Sequence, residues 1–328
     1  VRAAKGGVVA CGVLVAGAAA GCRDRGHADG EGASSAGASA PSSLPPDPRP
    51  AILYLPDGGD LPAPDVSRPA ASLAAPLAGR RCPPEMVLVA GRLCVDRYEV
   101  VLEELGGRRR LSAHYHPLAV HARAAFEHWT RARAAAPTEL GRTMGVPPLP
   151  PWQLTERYDF AAVVRAGEPP QGYLDANVAE RACRNAGKRL CTEAEWVLAC
   201  RGEQDRPFPY GDEYEAGRCN VFREAHPAAL LHGNASEGHL DPRLNAVTVA
   251  GRPLLRAAGA TPDCRSRWGE DGLYDMVGNL DEWVDDADGV FLGGFYARAT
   301  KEGCGARISA HPREYFDYSL GVRCCREP

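Results

Sequence analysis

The chain has 328 residues, 45% hydrophobic and 24% charged, with a formal net charge of −4. That balance is globular and leaves length for one large domain plus additional segments. The mild acidity argues against nucleic acid as a partner.

The N-terminal stretch is not expected to join the fold. Arg2 and Lys5 precede an apolar run from Val8 to Ala20, the pattern of an export signal over residues 1–21. The run is short for a membrane-spanning helix. Ala20-Gly21-Cys22 resembles a bacterial lipoprotein processing site, with Cys22 as the lipidated residue. Residues 22–81 are rich in Gly, Ala, Ser and Pro. Such a segment buries too little apolar surface to offset its ordering entropy, so a disordered tether is expected.

The folded domain is expected over residues 82–328. Cys82 to Gly91 reads as a strand running into a turn, and Leu93 to Val101 as a second strand. Cys82 and Cys94 are placed to staple this hairpin. Gly106-Gly107 marks a turn, and Arg108-Arg109-Arg110 beside it reads as a solvated strand. His114, His116, His121 and His128 form a histidine cluster, with His114 and His116 on one face if they share a strand. No Cys or acid stands at a metal-ligand spacing beside them. Ala119 to Ala135 reads as helical. Residues 102–170 are expected to be an insertion of loops and short helices.

Asn177 to Asn185 reads as a helix stopped by Gly187. Thr192 and Glu195 have capping-box spacing, and Cys191 and Trp196 stand at the hydrophobic-staple positions. Trp196, Ala199 and Cys200 then share one helix face. Glu193 and Glu195 are accounted for by capping and by the helix dipole, not by acid–base chemistry.

Gly272 to Val284 sets apolar residues beside acids around the turn signal Gly278-Asn279. Asp275 and Glu282 are hard oxygen ligands, and turn carbonyls at Gly278 and Leu280 would complete a set that suits calcium. The same Asp and Asn equally well satisfy the turn's own backbone groups. Setting aside Cys11 and Cys22, ten cysteines remain: Cys82, Cys94, Cys183, Cys191, Cys200, Cys219, Cys264, Cys304, Cys324 and Cys325. An even set behind an export signal implies disulfides. A zinc cluster lacks its usual Cys-x-x-Cys spacing.

Several segments now occur in a telling order. They are Lys188-Arg189-Leu190, Thr192 to Trp196, Cys200-Arg201-Gly202, Tyr210-Gly211-Asp212, Gly272 to Asn279, Glu282-Trp283, Gly293-Gly294 and Gly321-Val322-Arg323-Cys324. Together they resemble the formylglycine-generating enzyme, or sulfatase-modifying factor, family from about Cys82 to Cys325, most densely after Ala176. The resemblance implies an α+β, C-type-lectin-like fold with little regular secondary structure and with structural calcium. It implies one calcium at Asp275, Gly278, Leu280 and Glu282, and the start of a second site at Asn220 and Val221. It also implies disulfides Cys183–Cys324 and Cys200–Cys304, each worth about 4 kcal/mol in the loop-entropy model. With Cys82–Cys94 taken as the hairpin staple, four cysteines are left. Cys219–Cys264 with Cys191–Cys325 is one way to pair them.

Enzymes of that family oxidise a substrate cysteine with oxygen and a copper ion held by two thiolates, ligands that suit Cu(I). The resemblance places those thiolates after the Gly-Gly segment. Here the two positions are Arg298 and Gly303, and Cys304 lies one residue beyond the second. Cys304 is a catalytic candidate only if it is unpaired, and copper is not expected. Two readings follow. One is a lipid-anchored extracytoplasmic module that binds a protein, peptide or glycan. The other is an oxidoreductase of the formylglycine-generating or non-haem iron type with an altered site, although no His/acid facial triad is apparent in the spacing.

Overall fold

The computed structural model describes residues 81–222, 225–298 and 300–328. The expected export signal, Cys22 and all of the expected tether except residue 81 lie outside the described residues.

Short strands with β-branched and aromatic residues build two four-stranded sheets. In the first, the order is Met86–Val89, Leu93–Asp96, Cys324–Arg326, Arg189–Leu190, all antiparallel. In the second, it is Arg307–Ile308, Phe291–Leu292, Asp281–Trp283, Leu320–Val322. The last pair of that sheet is parallel. Arg323 is the single residue between Leu320–Val322 of one sheet and Cys324–Arg326 of the other. Its guanidinium is fully buried and ties the sheets together. It donates to the Asp96 carbonyl on one side and to the Glu282 carboxylate on the other.

The first hairpin forms as expected, with Ala90 and Gly91 at positive φ in its turn. The expected second strand breaks in two. Leu93–Asp96 stays in the first sheet, the chain bends at Arg97-Tyr98, and Val100–Glu104 pairs instead with Phe160–Val164. Glu99 explains the break: it is buried, and its carboxylate accepts from Leu280 N–H at 3.0 Å and from Asn279 Nδ2 at 2.6 Å. The two strands Val100–Glu104 and Phe160–Val164 also bracket most of the expected insertion, which holds the helix Ala119–Ala132 and two five-residue helices.

Two sequence expectations change there. His114 and His116 lie in turn and loop, not on a strand. His116 bonds Asp175 at 2.9 Å and packs with His121 and Phe316, while His128 packs on Trp129. Of the three arginines at 108–110, two are engaged in ion pairs. Arg109 bridges Glu104 and Glu156 over the Trp152 ring, and Arg110 pairs with Glu168.

The helix Ala176–Asn185 starts on Asp175, whose side chain accepts from Val178 N–H, and ends before Gly187 at φ +70. The helix Glu193–Arg201 has the full capping box. Thr192 Oγ1 accepts from Glu195 N–H and the Glu195 carboxylate accepts from Thr192 N–H. Trp196, Ala199 and Cys200 face inward as the spacing requires.

The core gathers around two fully buried tryptophans, Trp196 and Trp283. Each indole N–H finds an acceptor, Glu282 at 2.7 Å and the Leu174 carbonyl at 2.7 Å. The ten cysteines among the described residues form five disulfides: Cys82–Cys94, Cys183–Cys324, Cys191–Cys325, Cys200–Cys304 and Cys219–Cys264. The two pairs implied by the family resemblance are among them. No helix of the described residues is long and apolar enough to cross a membrane.

Candidate functional site

The Gly293-Gly294 turn leads the chain away from the strand Phe291–Leu292 toward Arg298. Both glycines sit at positive φ, and a Cβ on Gly293 would meet the Met276 carbonyl at 2.7 Å and the Trp196 ring at 3.1 Å. Residues Phe295 and Tyr296 pack behind the turn. Arg298 then reaches back. Its Nη2 donates to Asp281 Oδ1 at 2.7 Å, and its Nε donates to Thr300 Oγ1 at 3.2 Å. Asp281 is fully buried, and its Oδ1 also accepts from Gly294 N–H at 2.9 Å. Burial pushes the Asp281 carboxyl up to about 7, opposed chiefly by the Arg298 charge.

Arg298 lines a cavity of about 180 Å³ with His226, His239, His311, Tyr315 and Asp317. The Asp317 carboxylate accepts from Tyr315 OH at 2.6 Å and from Ser319 N–H and Oγ at 2.8 and 2.6 Å. His311 stacks on Tyr315 with ring centroids 3.9 Å apart. Tyr318 OH bonds His226 Nε2 at 3.2 Å, while His226 Nδ1 is buried without a partner. Burial lowers the His226 pKa, which favours the neutral ring. The walls are thus aromatic, with one guanidinium bound to an internal carboxylate. Sequence reasoning found Arg298 and missed these histidines. They come from separate segments between residues 226 and 311, and no local spacing signals their meeting.

Cys304 does not enter this cavity's chemistry as a thiolate. Its Sγ is bonded to Cys200, which closes a separation of 104 residues. A lone thiolate is in any case short of the two soft ligands that hold Cu(I), and Arg298 sets a positive charge at the first ligand position. The residues present do not fit copper. Among the described residues no three His, Cys, Asp or Glu side chains are grouped to hold a metal ion.

The set expected to hold calcium is brought together but engaged otherwise. Glu282 Oε1 and Oε2 both accept from Arg323, at 2.9 to 3.2 Å, and Oε2 also accepts from Trp196 Nε1. A divalent cation on Glu282 would lie against that guanidinium. Asp275, at φ +59, accepts from Gly259 N–H through Oδ2, while its buried Oδ1 has no donor. Burial raises Asp275 to about 6 and pushes Glu99 well above the usual carboxylate range, with Asp275 and Glu282 adding to the second effect. Gly278, at φ +81, bridges to Asn220, and Leu280 N–H is held by Glu99. Asn220 Nδ2 donates to the Leu254 carbonyl and to Asn279 Oδ1, and Val221 packs in the core around Trp196. The buried Oδ1 of Asp275 retains an open acceptor, and of the two expected side-chain ligands it is Glu282 whose oxygens are fully engaged. With Glu282 taken by Arg323 and Trp196, the four-member set does not fit calcium as these groups stand.

Residues 152–328 match the sulfatase-modifying factor enzyme 1-like domain. The chain belongs to this family. Over 136 residues it is 32% identical to the formylglycine-generating enzyme of Bos taurus, covering 41% of this chain and 31% of that protein. Over 118 residues it is 30% identical to the inactive C-alpha-formylglycine-generating enzyme 2 of Bos taurus, covering 36% of this chain and 33% of that protein. The alignment therefore spans only about a third of these relatives' length. Among solved structures, PvdO from Pseudomonas aeruginosa is similar at 18% identity and a TM-score of 0.34, covering 72% of this chain and 80% of that one. The fold is the α+β fold of the family. Five disulfides are in keeping with an oxidising, extracytoplasmic setting.

Proposed function

We propose that this domain is an extracytoplasmic binding module that has given up the family's copper-dependent cysteine oxidation. The observation that carries the reading is the Cys200–Cys304 disulfide together with Arg298 at the first thiolate position. The place of the reaction centre is taken by the aromatic cavity around Arg298. Rings and a neutralised guanidinium bind by stacking and hydrogen bonding, which suits a segment of protein, peptide or glycan. The domain is anchored to a membrane through lipid on Cys22 and the segment that follows it, a reading supported by Ala20-Gly21-Cys22.

The test of chemistry loads the purified protein with copper and incubates it with oxygen, reductant and a sulfatase-type cysteine peptide. The peptide mass stays unchanged. Formylglycine product that disappears on Cys304→Ala would overturn the reading. The test of anchoring is metabolic labelling with a fatty-acid probe. Label is incorporated by the wild type and lost with Cys22→Ala, whereas identical fractionation of both without label would refute the anchor.

A second reading is an oxidoreductase of the formylglycine-generating or non-haem iron type with an altered site, and the one observation that favours it is the buried, unpartnered Nδ1 of His226. Oxygen uptake by iron-loaded protein, lost on His226→Ala, would replace the first reading with this one.

A further inference from the structure

A second cavity, of about 290 Å³, shares no lining residue with the one around Arg298. Among the described residues it is lined by five arginines, Arg201, Arg206, Arg218, Arg265 and Arg267, against the two carboxylates of Glu203 and Asp263. The chain as a whole is mildly acidic, so this positive excess is local.

Three of the arginines adjoin disulfide cysteines. Arg201 directly follows Cys200 of the Cys200–Cys304 disulfide. Arg218 directly precedes Cys219, and Arg265 directly follows Cys264, so the Cys219–Cys264 disulfide sets one opposite the other. Arg267 is on the strand Arg265–Trp268, which pairs with Asp271–Tyr274. Gly202 runs close beneath it, where a Cβ would meet the Arg267 carbonyl at 3.2 Å. Backbones fixed in this way lose little further freedom when a ligand arrives.

The arginines are also incompletely satisfied. Arg201 pairs with Asp205 at 3.0 Å, and Arg218 with Glu215 at 2.8 Å and Asp263 at 3.6 Å, but those carboxylates are 79%, 53% and 68% exposed. Exposed pairs of this kind are weak and exchange readily with a better acceptor. Arg206 Nη1 reaches only the Tyr210 carbonyl, at 3.5 Å. The Nε atoms of Arg201 and Arg265 are buried with no acceptor at all. Guanidinium forks match the paired oxygens of phosphate and sulfate, and they are weakly hydrated enough to be used inside a cleft. Beside them, Tyr210 stacks on Phe208 at 5.4 Å, and Gln204 and Glu203 offer acceptors for hydroxyl groups.

We propose that this cleft binds a phosphate or sulfate ester carried on a single sugar ring, with the ester on the arginines and the ring against Tyr210. The cavity volume is at the small end of the range for small-molecule sites. Phosphate and sulfate esters share the tetrahedral oxyanion that the forks recognise.

Calorimetric titration of the whole chain tests this with glucose 6-phosphate, glucose 6-sulfate, glucose, inorganic phosphate and inorganic sulfate. At least one ester binds, glucose does not, and affinity falls as salt is raised. The tighter ester names the natural anion. Arg206→Ala combined with Arg267→Ala weakens binding at least about tenfold. Neither side chain pairs with a carboxylate in the structure, so the variant's melting temperature stays within a few degrees of wild type. Arg298→Met leaves this binding unchanged, which separates the site from the cavity of the proposed function. Esters that bind no better than glucose, inorganic ions that bind as tightly as the esters, or an unaffected double variant would each overturn the proposal.

Discussion

Arg298 donates to Asp281 at 2.7 Å, and Asp281 is completely buried while Arg298 remains 27% exposed. The pair puts a charge-neutral but polar floor under the aromatic cavity. Removing the arginine leaves a carboxyl in a site that water does not reach. Arg298→Met is therefore expected to cost about 2–3 kcal/mol, below the full value for breaking a buried pair because the carboxyl takes up a proton instead. Adding Asp281→Asn recovers part of the loss. Urea denaturation of the four members of this double-mutant cycle gives the coupling directly. A coupling of zero would mean that the pair does not shape the cavity.

The disulfides rank by the loop each one closes. Cys200–Cys304 spans 104 residues and Cys82–Cys94 spans 12. Loop entropy assigns about 4.7 kcal/mol to the first and about 2.8 kcal/mol to the second. Replacing both cysteines of the long bridge with Ala should lower the denaturation midpoint further than the same change in the short one. The reverse order would point to native-state packing, not chain entropy, as the larger effect.

Lys188 and Asp96 form a buried ion pair at 2.6 Å. Burial raises the Asp96 carboxyl from its ordinary value of 3.8 to about 6, with Lys188 opposing the shift. The native state thus holds this proton more tightly than the unfolded chain does. Between about pH 4 and pH 6 unfolding releases a proton, so this group's contribution to stability falls as pH rises and is flat above. Lys188→Met pushes the carboxyl higher still and extends the fall to higher pH. The variant should lose about 3 kcal/mol at pH 8 and little at pH 4. Denaturation curves across that range check it, and a loss independent of pH would contradict the assignment.

Glu282 takes all its donors from Arg323 and Trp196. Glu282→Gln removes the carboxylate that Arg323 bonds directly and leaves Glu99 and Asp275 as its nearby acids, at a cost of about 3 kcal/mol. Excess chelator leaves the wild-type melting temperature unchanged, because a ligand stabilises by mass action only where it binds the native state. A melt lowered by chelator and restored by calcium in the wild type but not in Glu282→Gln would show that calcium displaces Arg323 from Glu282.

What the sequence alone determined is what neighbouring residues decide between themselves. Thr192 and Glu195 cap a helix because three residues separate them, and Gly187 ends another at φ +70. Gly278 and Asn279, both at positive φ, turn the chain where their side chains permit it. The order of short motifs carried the family, and with it two of the five disulfides. The tertiary structure alone decided what meets across the fold. Leu93 to Val101 had the composition of one strand, yet Glu99 was drawn to Leu280 and Asn279 far along the chain, and the strand broke. Asp275 and Glu282 had the chemistry of calcium ligands, yet Arg323 came between the two sheets and took Glu282 first. The histidines around Arg298 and the five arginines of the second cleft lie on segments that only packing and disulfides bring together. Local spacing encodes backbone geometry, whereas the partner of a buried charge is set by whichever opposite charge the folded core delivers to it.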